Sequence, residues 1–224
     1  MLLLLILGSL YYIDQPYLST PYHGEFGIEL RFGPGGEILG YFDVGVWDRF
    51  QFGVSYGASN LIGAGDPLFY DIPGVQLRVV AIEQGYVMPQ VLFGFDNQGY
   101  GAYDDVRYDI MSKGLYCQIG RIFAAPSIEF VPSIGANYCF EDEPRFDMFC
   151  GVKALFGTGA AFAIDYSPNL NDDQDQNKGY FNASLQLIFY EELFFEFALR
   201  DLLDNSLDDL QFNRMIRMGF TQVF

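Results

Sequence analysis

Apolar and polar residues alternate with a period of two along most of this chain. Phe26, Ile28, Leu30 and Phe32 are interleaved with Glu25, Gly27, Glu29 and Arg31. After the turn signal Pro34-Gly35-Gly36, Ile38, Gly40, Phe42, Val44 and Val46 alternate with Leu39, Tyr41, Asp43 and Gly45. Phe50, Phe52, Val54 and Tyr56 repeat the pattern. So do Val75 to Ala81, Val91 to Phe95, Ile128 to Phe140, Phe146 to Ala154, Phe162 to Tyr166, Phe181 to Phe189 and Phe195 to Leu199. The last segment runs Ile216, Met218, Phe220, Gln222, Phe224 on one side and Met215, Arg217, Gly219, Thr221, Val223 on the other. Period-2 alternation is the mark of a strand with one apolar and one polar face. The pattern predicts about twelve strands, each long enough to cross a bilayer when tilted. The stretch 108–123 is long and less regular.

The connections alternate as well. Short ones are predicted around 47–49, 84–86, 124–126, 157–159 and 190–192. Longer ones are predicted over 59–73, 98–107, 168–178 and 204–212. A meander with short turns at one end and long loops at the other is the plan of an antiparallel up-and-down transmembrane β-barrel. That fold class is assigned to 24–224 as one barrel domain. Residues 1–23 are read as an apolar signal-like segment, centred on the leucines of 2–10, followed by an aperiodic lead-in over 11–23. No window of eighteen apolar residues marks a spanning helix, a test that barrel strands escape.

The end of the chain resembles the C-terminal strand of bacterial outer-membrane β-barrels. The carriers are the apolar alternation and the final Phe224, with Phe220 four residues earlier. In such proteins the barrel-assembly machinery reads this signature, so the resemblance implies that machinery as a partner and the outer membrane as the location. Gln222 departs from it, where an apolar residue is more usual. A narrower likeness lies in 24–57. There G-E-F-G-I-E-L-R-F and Y-F-D-V-G-V-W-D-R-F-Q-F-G-V-S-Y-G are similar to YjbH-type outer-membrane barrel proteins. That resemblance implies a link to exopolysaccharide. The chain is much shorter than members of that family.

Composition adds 23 Phe and 16 Tyr. Membrane barrels place aromatics on the lipid side and in interfacial girdles, where Trp47 at a turn also fits. The net charge of -17 disfavours binding to nucleic acid. Cys117, Cys139 and Cys150 form no spaced cluster, and with one histidine, His23, no zinc site or other cofactor site is expected. No G-x-S-x-G surrounds any serine, and His23 lacks a signature nucleophile, so catalysis is not expected. Over 171–179, Asp173, Asp175 and Asn177 have the one-three-five spacing of a calcium loop. The glycine falls one place late and no closing glutamate follows, so the segment reads as a solvated acidic loop. Acidic residues such as Asp66, Asp71, Asp104, Asp172, Asp204 and Asp208 gather at that end. They suit divalent cations beside lipopolysaccharide.

The charged residues on the polar faces define the candidate site. Glu25, Glu29, Arg31, Asp43, Arg78, Asp96, Lys153, Asp165, Glu196, Arg200 and Arg217 all share a lumen if the apolar faces meet lipid. Opposite charges in a confined interior are expected to pair. Arg31, Arg78 and Arg217 are the expected partners of carboxylates such as Glu29, Asp43 and Glu196. Gly27, Gly94, Gly135, Gly151 and Gly219 are expected to leave room, giving a constricted, water-containing lumen. Two functional readings follow. The first is a non-enzymatic outer-membrane barrel, either a narrow pore for small polar solutes or an envelope component. The second is a secreted soluble β-protein that binds carbohydrate through an aromatic patch.

Overall fold

In the computed structural model, which describes residues 9–18, 22–63, 65–103, 106–142, 145–157, 159–170, 178–190, 192–206 and 213–224, alternation becomes a wall. The strands are β1 (Glu25–Phe32), β2 (Ile38–Val46), β3 (Phe50–Ser59), β4 (Leu68–Phe69), β5 (Gly74–Ile82) and β6 (Gln90–Asp96). They continue with β7 (Tyr100–Tyr103), β8 (Tyr108–Ile110), β9 (Gly114–Gly120), β10 (Phe123–Ala125) and β11 (Ile128–Cys139). The last are β12 (Arg145–Phe156), β13 (Ala160–Ser167), β14 (Tyr180–Phe189), β15 (Leu193–Arg200) and β16 (Asn213–Val223).

Twelve of these close an antiparallel ring in chain order: β1, β2, β3, β5, β6, β9, β11 and then β12 to β16. The ring shuts where β16 pairs with β1, from Glu25 opposite Val223 to Phe32 opposite Ile216. Joining the first and last strands removes the edges they would otherwise expose, as a strand-built wall in lipid requires, and the seam between β9 and β11 carries a bridge at Gly114 and Tyr138. The short β4 and β10 pair onto β3 and β11, and β7 and β8 form a separate hairpin.

The irregular stretch 108–123 resolves into β8, β9 and β10. Its irregularity has a local cause. Pro132 sits inside the twelve-residue β11 and has no N–H to give the ladder. At that level the facing strand is interrupted between Gly120 and Phe123, and Arg121 donates its N–H to the Pro132 carbonyl at 3.2 Å.

Outward positions are apolar around the whole ring. Ile28, Phe42, Phe52, Phe93, Phe130, Phe162 and Phe197 come from seven different strands, and all are exposed. At the short-turn end Trp47 and Asp48 both take left-handed backbone angles, as a tight hairpin turn requires. Trp47 is 70% exposed there. Phe224 stacks on Phe26 with ring centroids 5.0 Å apart, and its N–H bonds to the Gly24 carbonyl. The two ends of the ring's chain therefore meet at the short-turn mouth.

The inner face differs from expectation in the room its glycines leave. Several inward glycines leave no open space, because an aromatic on the paired strand lies over each. Tyr116 covers Gly94, Phe149 covers Gly135 and Phe194 covers Gly219, each a direct cross-strand partner. A methyl group at Gly219 would meet a Phe194 ring carbon at 2.3 Å. Gly27 lies under the Asp43 carboxylate and Gly151 under Tyr12.

Candidate functional site

Tyr12 belongs to no strand of the ring. The aperiodic segment 9–18 is fully buried, inside the barrel, as a tight hairpin. Tyr11 bridges Pro16, Tyr12 donates to the Gln15 carbonyl at 2.8 Å, and Tyr17 donates to the Leu10 carbonyl at 2.9 Å. Its apolar side chains enter three clusters on the inner wall. Leu10 and Tyr11 pack with Leu39, Tyr41 and Tyr100. Tyr12, Tyr17 and Leu18 pack with Val131 and Leu155. Ile13 packs with Ala163, Ala198 and Met215.

Inside a barrel the backbone of such a segment must still find partners, because an unpaired buried polar group is costly. Wall side chains supply them. The N–H groups of Ile13, Asp14 and Gln15 converge on one oxygen of Asp165 at 3.0, 2.8 and 3.0 Å, an anion held by successive amides of a turn. Arg217 donates to the Tyr12 carbonyl at 2.9 Å and Arg31 to the Ile13 carbonyl at 3.1 Å. Arg78 reaches the carbonyls of Leu10 and Tyr17. Gln118 holds the Pro16 carbonyl and Gln90 that of Leu18, each at 2.7 Å. The Tyr11 hydroxyl donates to Asp96 at 2.6 Å, and the Tyr12 hydroxyl to the Val131 carbonyl at 3.0 Å.

One charge on the hairpin organises the rest. The Asp14 carboxylate pairs with Arg31 and, at 2.8 Å, with Arg200 Nε, and it accepts from Asn182 at 3.2 Å. Burial alone would raise its pKa, but Arg200 and Arg31 outweigh burial and hold it at about 2.

The eleven charged residues picked out from the sequence are all buried on the inner face. The structure gathers six of them into two groups. Arg31, Arg200 and Asp165 meet around the hairpin tip. Arg217, Glu29 and Glu196 form a second cluster, with Arg217 bonded to both carboxylates. Arg31 and Arg78 depart from the expected pairing with strand carboxylates. The ion-pair partner of Arg31 is Asp14, and Arg78 is bonded to main-chain carbonyls. Asp43 accepts from Gln51 at 2.8 Å, and Asp96 from Tyr11 and Gln76. Lys153 lies with its Nζ 4.9 Å from the centre of the Tyr17 ring, and Glu25 accepts from the Tyr22 N–H near the short-turn mouth.

The lumen, expected to be constricted and water-containing, is occupied by protein along the hairpin. Asp14, Tyr11, Tyr12, Gln118 and Asn182 were not singled out from the sequence. The one available signal was that Y-Y-I-D-Q-P-Y-L is too aromatic for a solvated lead-in yet has no period. Among the described residues no group of His, Cys, Asp or Glu is arranged to hold a metal. The acidic run at 171–177 lies outside the described residues, as do Asp104 and Asp208. His23 sits at the short-turn rim, where its Nδ1 accepts the Trp47 N–H at 3.2 Å.

No protein-family model matches this chain, and no curated protein sequence does. Solved structures match it in fold. The KdgM porin superposes with a TM-score of 0.56 at 8% identity, covering 89% of this chain and 99% of its own. The NanC porin gives 0.56 at 11% identity with the same coverage. The outer membrane protein Omp33 of Acinetobacter baumannii gives 0.52 at 6%, covering 91% and 98%. At these identities the likeness is one of fold: the chain is a closed antiparallel β-barrel of the kind seen in outer-membrane porins.

Proposed function

We propose that this chain is a non-enzymatic outer-membrane β-barrel, a channel for small polar solutes that its own residues 9–18 hold closed. The observation that carries the reading is the hairpin itself. It lies in the lumen of a closed ring, and among the described residues its hydrogen bonds to the wall each use a side chain. A wall with polar residues inside and apolar residues outside suits a water path through lipid. The apolar girdle takes membrane lipid as its partner. The Phe220 and Phe224 signature suits the barrel-assembly machinery, and Asp66, Asp71 and Asp204 at the long-loop end suit cations bound to lipopolysaccharide. Exopolysaccharide enters only through the YjbH-like resemblance. The rival reading, a soluble carbohydrate binder, calls for an aromatic patch. Here the exposed Phe residues are spread around the ring instead.

The test is a barrel lacking residues 1–18, refolded in detergent and inserted into a planar bilayer. The shortened barrel is expected to show steady open steps where the full chain is closed for most of the record. A shortened barrel that folds, by heat-modifiable gel migration, but carries no current would overturn the channel. The barrel would then be a closed envelope component.

A further inference from the structure

Among the described residues, one junction of the ring is not a ladder. β9 pairs with β6 along its whole length, from Gly114 opposite Asp96 to Gly120 opposite Gln90. On its other side it meets β11 at the bridge of Gly114 with Tyr138, which is parallel in an otherwise antiparallel ring. The wall is tied again beyond β9, by the Arg121 N–H on the Pro132 carbonyl and by β10 on β11. Between these ties 115–119 have no paired partner on β11 among the described residues. Two residues account for the gap. Gly114 takes a left-handed φ of 61°, so β9 enters the junction turned. Pro132 has no N–H to offer where the pairing would resume. The backbones are nonetheless close. A methyl group at Gly114 or Gly120 would run into a β11 carbonyl oxygen, that of Tyr138 or of Pro132.

Side chains stitch this junction instead. Gln118 on β9 donates to the Ser133 hydroxyl on β11 at 2.8 Å, and Asn137 on β11 donates to the Lys113 carbonyl at 3.1 Å. The hairpin adds a bond on each side. Gln118 also donates to the Pro16 carbonyl at 2.7 Å, and the Tyr12 hydroxyl donates to the Val131 carbonyl of β11 at 3.0 Å. Tyr12 and Tyr17 lie edge to face with ring centroids 4.9 Å apart, and both pack with Leu18, Val131 and Leu155. The hairpin thus spans the junction as one packed body.

A wall in lipid is held by its main-chain bonds, and it parts most easily where the fewest have to break. We propose that this barrel parts sideways between β9 and β11, giving the lumen an outlet into the membrane, and that residues 9–18 clamp the outlet shut. Releasing the clamp undoes the Gln118 bond to Pro16 and the Tyr12 bond to Val131, so hairpin and seam open together. Two native thiols are placed to report it. The glycine contacts set Gly120 opposite Ser133 and Gly114 opposite Cys139. In that register Cys117 faces Ala136 across the seam, on the lipid side. Cys150 lies at nearly the same level on β12 and also faces lipid. It is paired on both sides, with Ile134 and with Tyr166. Cys150 is exposed and Cys117 half-buried, so cover alone would make Cys117 the slower of the two.

The experiment uses the full chain in lipid nanodiscs, treated with a water-soluble maleimide and read site by site through peptide masses. The thiolate is the reacting form, so a thiol against lipid stays inert until the wall parts and water reaches it. Each rate is divided by that of the same thiol in the chain unfolded in urea. Cys117 is expected to react roughly tenfold faster than Cys150, the difference that one or two fewer bonds make. Tyr12→Phe removes one bond of the clamp and is expected to raise the Cys117 rate roughly threefold to tenfold, leaving Cys150 unchanged. Gln118→Leu removes the Pro16 and Ser133 bonds together and is expected to raise it further. Heat-modifiable migration checks that each variant is folded. If Gln118→Leu fails that check, Tyr12→Phe and the unaltered chain decide. The outlet is overturned if Cys150 reacts as fast as Cys117. The clamp is overturned if Tyr12→Phe leaves Cys117 unchanged, or if it speeds both thiols alike. The channel reading fails separately, as absent current in a barrel that still labels at Cys117.

Discussion

The wall and the hairpin inside it solve the same problem by opposite means. In the wall, backbone pairs with backbone: β1 meets β16 and β2 in unbroken ladders of consecutive partners. In the hairpin, most of the main chain is satisfied by side chains. Asp165 takes three N–H groups, and arginines and glutamines take the carbonyls of Leu10, Tyr12, Ile13, Pro16, Tyr17 and Leu18. A ladder is generic, since any residue of suitable alternation can join it. The hairpin's contacts are individually addressed, so each has one donor or acceptor that can be removed. The wall should therefore tolerate single polar changes that the hairpin does not.

Arg217 belongs to both regions, and its loss is the largest effect to expect. Arg217→Ala strands Glu29 and Glu196 on the wall and releases the Tyr12 carbonyl on the hairpin. Leaving a buried charge without its partner costs about 3–5 kcal/mol. The unfolding midpoint in detergent should fall, and bilayer recordings should show more frequent openings. If neither changes, the coupling between wall and hairpin through this residue is wrong. Replacing all three members by uncharged residues of similar volume should recover much of the lost stability, since the penalty comes from the unpaired charges.

A smaller effect probes the wall without touching the hairpin. Gly219→Ala pushes a methyl into the Phe194 ring, and overpacking of that kind costs about 1–3 kcal/mol. Phe194→Leu in the same chain should relieve part of it. The pair should shift the unfolding midpoint and leave channel opening unchanged. A rise in opening from Gly219→Ala alone would mean that the inner lining and the hairpin are one cooperative unit.

This division also explains what the sequence disclosed. The strands, their inward charges and the shut ring could be read from alternation, because Ile28, Leu30 and their counterparts repeat every second residue. The inner aromatics could not. Phe149 and Phe194 occupy positions of polar parity, where alternation expects Asp or Ser, and only pairing opposite Gly135 and Gly219 explains them. The hairpin was further out of reach. Asp14 meets Arg200 across 186 residues of sequence, and Arg217 reaches Tyr12 across 205. No local pattern encodes such contacts. A proline-interrupted, aromatic stretch ahead of the first strand carries no period, and both a lead-in and a lumen hairpin fit that description.

Acid should separate the two regions most finely, through Asp14. The groups facing its carboxylate are Arg31, Arg200, Asn182 and, through the neighbouring amides, Asp165. The arginines outweigh burial and hold Asp14 at about 2, below the ordinary aspartate value of 3.8. A carboxyl with a lowered value in the folded state stabilises that state fully above the unfolded value. The contribution is lost as pH falls through the folded one. Nothing from this group should change between pH 8 and pH 5. By pH 3 roughly 1 kcal/mol of the hairpin's hold should be gone, an increase of about fivefold in the open fraction. Asp14→Asn removes the titration and both ion pairs, so it should open more often at every pH and respond least to acid. The measurement is single-channel open probability from pH 7 down to pH 3. If Asp14→Asn keeps the full acid response, the titrating group lies in the wall, and the hairpin's charge is not what holds it.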